Sequence, residues 1–175
     1  MGKQAINLGT PPTGIGGDTP RSANIKINSN FDELYAADLV NYKRSNVLGT
    51  VSQASGVPTG AVIERGTNAN GSYVKLVDGA MICTRIVNFA LTPNISWGAA
   101  FITSGVPVQA YAGTFTTAPV IDMLLTVSNG YAGTGWLIGV AEPSNISWPG
   151  CFIADLASRG ITSFNIHYIA VGRWF

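Results

Sequence analysis

The sequence predicts a mainly β protein: a short N-terminal arm and helix, then an antiparallel β-sandwich tip domain, assembled as a homotrimer. Three observations predict it. Residues 71–175 carry short Val-, Ile- and Tyr-rich runs separated by turn signals such as Asp78-Gly79 and Asn129-Gly130, the pattern of a sandwich. Residues 20–37 carry a helical periodicity, with Ala23, Ile27, Phe31 and Leu34 on one stripe. Only 11% of the 175 residues are charged while 46% are hydrophobic, against roughly 25% charged in an ordinary soluble domain. So few charges cannot coat a monomer of this size, and apolar surface is expected to be buried between subunits.

Residues 1–19 have no apolar period. Pro11-Pro12 and Gly14, Gly16 and Gly17 oppose regular structure and predict an extended arm. Gly14-Ile15-Gly16-Gly17 is not a phosphate loop, because it lacks the Gly-Lys-Ser/Thr ending and no strand precedes it. Asp18 or Thr19 can cap the helix, and Pro20 suits its first turn, where a missing N–H costs nothing. Arg21, Lys26, Asp32 and Glu33 lie off the apolar stripe, which is too narrow to build a core and fits a short bundle or docking on another protein.

Residues 38–70 are predicted to form a neck, with brief strands at most over 47–51 and 60–63. The tip domain, 71–175, opens with strands over 72–77 and 80–89, joined at Asp78-Gly79 and preceded by Asn70-Gly71. Further strands are expected over 106–112, 120–127, 135–141, 150–153 and 163–174. Within it Asn94-Ile95-Ser96-Trp97 recurs as Asn145-Ile146-Ser147-Trp148, and each copy leads into Phe-Ile. Either the two tryptophans pack in one core, or they are displayed on two loops.

The net charge is +1 and Lys43-Arg44 is the only adjacent basic pair, whereas nucleic-acid binding needs a clustered basic face. No stretch is long and apolar enough to insert into a membrane, and the start does not read as a signal peptide, so a soluble chain is expected. Cys83 and Cys151 are expected as buried free thiols, with one disulfide as the alternative. His167, the single histidine, alternates with Ile166 and Tyr168 in a strand and reads as structural. No catalytic set assembles around it, and no metal or other cofactor is expected. Among the tip carboxylates, Asp78 belongs to a turn. Asp122, Glu142 and Asp155 carry no motif of the opposed pair that a glycan depolymerase needs.

Two stretches carry a family resemblance. The Gly16-Gly17-Asp18 turn with Arg21, followed by Lys26-Ile27-Asn28, Asn30-Phe31 and Glu33-Leu34-Tyr35, resembles the virion-proximal segment of tailed-bacteriophage tail fibres and short receptor-binding tip proteins. The stretch from Gly66 to Cys83 resembles the opening hairpin of the tip domain of such fibres, and Tyr168 to Phe175 resembles its closing strand. Between them, 91–160 matches no part of that family. The resemblance implies a homotrimer found in the virion and made in the host cytoplasm. Its N-terminus would dock on a baseplate or tail protein, with Asp18 and Arg21 shaping the turn and Ile27, Phe31 and Leu34 packing. Its tip would meet a host surface glycan or outer-membrane receptor.

Within the unmatched middle, Trp97, Tyr131, Trp136 and Trp148 are the receptor-binding candidates. An aromatic face stacks on the apolar face of a sugar, and three weak sites held together become adequate through effective concentration. Tyr131 follows the Asn129-Gly130 turn, which should push its ring outward. The expected function is attachment of a phage or phage-tail-like particle to its host by non-covalent, multivalent recognition. A purely structural baseplate or collar fibre and a glycan depolymerase are the alternatives.

Overall fold

The computed structural model describes residues 2–43, 45–127 and 135–175. It divides into two compact units, Met1–Lys43 and Arg44–Phe175.

The first unit is an arm laid along a helix. Helix α1 spans Pro20–Val40 and so runs past its expected end. Thr19 is its N-cap, with a side-chain oxygen that accepts the Ser22 N–H at 3.2 Å, and Pro20 follows in the first turn. No residue of α1 is buried. Side chains one turn apart hold the arm to it. Asn30 makes a reciprocal pair with the Gln4 backbone: its Oδ1 accepts the Gln4 N–H at 2.8 Å and its Nδ2 donates to the Gln4 carbonyl at 2.9 Å. Lys26 Nζ donates to the Ala5 carbonyl at 3.1 Å.

The second unit is mainly β, and all of its strand pairs are antiparallel. A small hairpin, β1 (Gln53–Ala54) and β2 (Val57–Pro58), comes first. Strands β3 (Ile63–Asn68), β4 (Gly71–Leu76), β5 (Ala80–Leu91), β8 (Val120–Val127) and β11 (Thr162–Arg173) form a five-stranded sheet in the order β3-β4-β5-β11-β8. A four-stranded sheet has the order β6-β7-β10-β9, from β6 (Ile95–Trp97), β7 (Ala100–Ile102), β9 (Gly135–Ile138) and β10 (Phe152–Asp155). Met81, Cys83, Phe164, Ile166 and Tyr168 from the first sheet share one core with Ile153 and Leu137 from the second, so the two sheets form a sandwich. Along β11 burial alternates strictly from Thr162 to Ala170, as a one-face-buried strand requires.

The two stretches that resemble the fibre tip meet in the five-stranded sheet. β5 and β11 pair over their full lengths, from Ala80↔Arg173 to Leu91↔Thr162. Trp174 Nε1 and Arg173 Nη2 then donate to the carbonyls of Leu76 and Asp78, tying the last residues to the opening hairpin.

Three expectations change. The sheet takes in Ile63–Asn68, which the sequence reading gave to the neck. Glu64 anchors that region, accepting the Val51 N–H at 2.9 Å and the Tyr73 hydroxyl at 2.8 Å, with Lys75 Nζ at 3.7 Å. Burial pushes the Glu64 carboxyl up, but those donors outweigh it and hold it below its usual range. Second, residues 106–112 form no strand. They belong to an irregular segment that drops Val106, Tyr111, Ala112 and Phe115 into the core and exchanges single bridges with Cys151 and Ser147. Third, β6 and β7 form a hairpin that the sequence reading did not contain. Cys83 and Cys151 are both buried and free.

Candidate functional site

In the N-terminal unit, Asp18 organises the turn before the helix. Its Oδ2 accepts from Lys26 Nζ at 2.6 Å and from the Asn7 N–H at 2.7 Å, and its Oδ1 from the Ser22 hydroxyl at 3.3 Å. The Lys26 hydrogen bond, followed by that of the Asn7 amide, holds the carboxyl below its usual range. Asn7 closes the loop from the other side, donating to the Gly16 carbonyl at 3.0 Å. Arg21 takes no part: it is exposed on the first turn of α1 and makes no hydrogen bond or ion pair among the described residues. Sequence reasoning missed Lys26 and Asn30, which, one turn apart on α1, do the pinning. Ile27, Phe31 and Leu34 line a small apolar groove with Asn30, and Phe31 and Leu34 are 51% and 63% exposed within their unit.

In the sandwich, the candidate tryptophans separate. Trp148 is 1% exposed, with its ring 4.5 Å from that of Tyr111 and 4.9 Å from that of Tyr168. It is a core residue and leaves the receptor set. Trp97, in the identical tetrapeptide, is 54% exposed on β6. The next residue decides between them. Gly98 turns the β6–β7 hairpin at φ +61°, and Pro149 stands at the equivalent place in the second copy, where its ring excludes a positive φ. No hairpin forms there, and Trp148 turns inward with the irregular chain. The two tryptophans are therefore not a packing pair. Tyr131 lies outside the described residues.

Trp97 and Trp136 sit at opposite edges of the four-stranded sheet but on one face of it. Ile95 pairs with Ile102, Ile102 with Ala154, and Ala154 with Trp136. Directly paired residues share a face, and Trp97 is two residues on from Ile95. The neighbouring row, Ile153 with Leu137, points into the core, so the tryptophan row faces outward. Phe152 is on the same outward face, 38% exposed beside Trp136 at 39%. Sequence reasoning missed Phe152. A Cβ on Gly139 (φ +57°) would come within 3.2 Å of its ring, so the glycine leaves the ring its place. The result is an aromatic outward face built from strands that all lie within the unmatched middle.

The carboxylates are dispersed. Asp78 caps its turn, accepting the Ala80 N–H at 2.9 Å. Asp155, buried, pairs with Arg159 at 2.6 Å and accepts the Ala157 N–H at 2.9 Å, which ties the β10–β11 connection together. Asp122 lies on the outward side of β8, and Glu142 is exposed after β9. His167 is on the outward face of β11, with Nε2 3.3 Å from the Thr126 hydroxyl. Among the described residues, no group of three or more His, Cys, Asp or Glu side chains is placed to hold a metal ion, and no helix is long and apolar enough to cross a membrane.

No protein-family model matches the chain, and no curated protein matches it. Two solved structures are similar to it. One is an N-truncated R1-type pyocin tail fibre, with 16% identity over 90% of this chain and 99% of that one and a TM-score of 0.42. The other is a P. aeruginosa R1 pyocin fibre comprising C-terminal residues 323–701, with 17% identity over 94% of this chain and 35% of that one and a TM-score of 0.42.

Proposed function

We propose that this chain is a non-enzymatic fibre component that attaches a phage or phage-tail-like particle to its host, with the outward aromatic face of the four-stranded sheet as the receptor surface. The observation that carries the reading is the exposure of Trp97, Trp136 and Phe152 on one sheet face. Flat rings on a rigid sheet lose little entropy on binding and stack on the apolar faces of sugars. A host surface glycan is therefore the proposed ligand, with multivalency supplying the affinity. The sequence resemblance to tail-fibre tips supports the reading from both ends of the sandwich, which pair with each other in its five-stranded sheet. The stripe of half-buried Ile27 and exposed Phe31 and Leu34, presented by a helix whose Asp18 turn is already ordered, supports an N-terminal anchor on a tail or baseplate protein.

The test is competition. Purified full-length protein should bind host cells and block adsorption of particles that carry it, and Trp97→Ala with Trp136→Ala should abolish both effects while the melting temperature holds. Particles that need the protein for assembly but adsorb through another component would instead identify a structural fibre. Release of reducing sugar from host polysaccharide would identify a depolymerase.

A further inference from the structure

We propose that the recess at the step between β4 and β5 is a second ligand site, for an acidic saccharide, with Arg85 as the counter-charge to its carboxylate or phosphate group. The step follows from strand length. β5 runs from Ala80 to Leu91, but β4 pairs with it only from Lys75↔Met81 to Ser72↔Thr84. There the β3–β4 hairpin turns back. At Gly71 (φ +117°) a Cβ would collide with the Thr84 carbonyl, so the chain passes this point as glycine. Beyond Thr84, β5 keeps β11 on one side and has no backbone partner on the other among the described residues. Such an edge offers a row of unpaired N–H and C=O groups. Arg85, Val87 and Asn88 line the recess on β5, and Asn68 and Ser72 line it at the hairpin end. Its volume is about 710 Å³, within the range of roughly 300–1,000 Å³ that small-ligand sites occupy.

Three features of the lining name the ligand. The first is charge. Arg85 is the one fully charged side chain in the lining, which contains no carboxylate, and it makes no hydrogen bond or ion pair among the described residues. Asp122 shares a row with Thr84 and Ile169 but lies two strands away on β8, roughly 10 Å from Thr84. A guanidinium without a counter-charge holds a carboxylate or phosphate through two parallel bonds. The second feature is mixed polarity. Ile86 and Ile169, 67% and 46% exposed, lie beside the hydroxyls of Ser72 and Thr84 and the amide of Asn88. A pyranose ring presents the complementary surface, apolar on its face and hydroxylated at its rim. The third is rigidity. Asn68 donates to the Ala112 carbonyl at 2.8 Å and accepts the Asn70 N–H at 2.8 Å. Asn88 Nδ2 donates to Ser163 and Asn165 at 2.6 and 2.8 Å, which leaves its Oδ1 as an acceptor for a sugar hydroxyl. Groups held in this way lose little entropy on binding. An extended peptide is the other occupant that an open strand edge invites. Here β4 already fills the same lane and stops a strand at Gly71, and strand pairing needs no counter-charge. The site shares no residue with the aromatic face of the other sheet and does not rest on the receptor reading.

Amide spectra of the isotope-labelled full-length chain test this, with trigalacturonate, glucose 1-phosphate, inorganic phosphate and maltotriose as probes at millimolar concentration. Trigalacturonate or glucose 1-phosphate should shift the amides of residues 71–72 and 84–88, and the one that does identifies the acidic group. Maltotriose should leave those amides in place. Arg85→Gln should weaken the acidic sugar about tenfold, the size of a lost charge-assisted bond. Ile86 carries the same test without touching the core. Ile86→Asp should weaken the acidic sugar and Ile86→Lys should strengthen it, each about two- to fivefold as for a partly exposed charge pair. Trp97→Ala with Trp136→Ala should leave all of these values unchanged, which separates this site from the receptor surface. The proposal is overturned if neither acidic sugar shifts these amides, if maltotriose binds as well as they do, or if inorganic phosphate alone accounts for the shifts. Binding that ignores the charge at position 86 overturns it too. Shifts produced by an acidic extended hexapeptide and by no sugar would replace it with strand addition.

Discussion

Lys26 and Asp18 meet at 2.6 Å, and the carboxylate oxygen that receives the ammonium also accepts the Asn7 N–H at 2.7 Å. One side chain thus joins the helix, the turn before it and the arm. Asp18→Asn should release the arm: the Asn7 amide should exchange faster with solvent, and protease should cut within residues 2–18. Arg21→Ala should do neither, because Arg21 makes no hydrogen bond or ion pair among the described residues. Acid should act like the first substitution. The carboxyl is held below its usual range, so its hold on the arm is complete above that range and is lost as pH falls through the lowered value. An Asn7 amide whose protection does not fall at any pH below the usual carboxylate range would refute this.

The N-terminal anchor predicts a separable defect. Phe31→Asp with Leu34→Asp changes two exposed positions, so α1 should persist by circular dichroism while incorporation into particles is lost. Normal incorporation of this variant would remove the stripe from the anchor.

Trp97 and Trp148 should answer truncation in opposite ways. Trp148→Ala empties a core site ringed by Tyr111 and Tyr168 and should cost about 3–5 kcal/mol. Trp97→Ala, on an edge strand and half exposed, should stay within about 0.5 kcal/mol. Urea denaturation measures both. Equal losses would mean that the two copies of the tetrapeptide are buried alike.

What was legible in the sequence was local. Thr19 and Pro20 announce a helix start through chemistry confined to one turn, and Asp78-Gly79 announces a hairpin in the same way. The strand expected over 106–112 failed because its apolar spacing serves core burial from an irregular backbone, in which Val106 and Tyr111 are paired only through single bonds. The sequence left Trp97 and Trp148 open between core and display, although the signal that separates them was present: Pro149 forbids the turn that Gly98 makes. The shared face of Trp97 and Trp136 was not legible, since it depends on the register of two intervening strands from distant parts of the chain. The same holds for Asn30 and Gln4, whose pairing no spacing rule announces.

The buried thiols and phenols predict how the sandwich fails in alkali. Burial pushes the Cys151 thiol up to about 11 and the Tyr111 hydroxyl up to about 12, and it raises Tyr168 as well. In the unfolded chain these groups ionise near their ordinary values, 9.0 for the thiol and 10.0 for the phenols. The folded state therefore keeps protons that the unfolded state gives up. The stability linked to Cys151 is complete below pH 9 and is lost as pH rises to about 11. That linked to Tyr111 is lost between pH 10 and about 12. The urea midpoint should hold steady from pH 7 to 8.5 and then fall continuously. Cys151→Ala, whatever its cost at neutral pH, should flatten the first part of that fall. Tyr111→Phe should flatten the second, and at neutral pH it should leave stability unchanged or raise it by up to about 1 kcal/mol, because the Tyr111 hydroxyl is buried without a hydrogen-bond partner among the described residues. A midpoint that is level through pH 11 would show that these groups reach solvent in the folded protein.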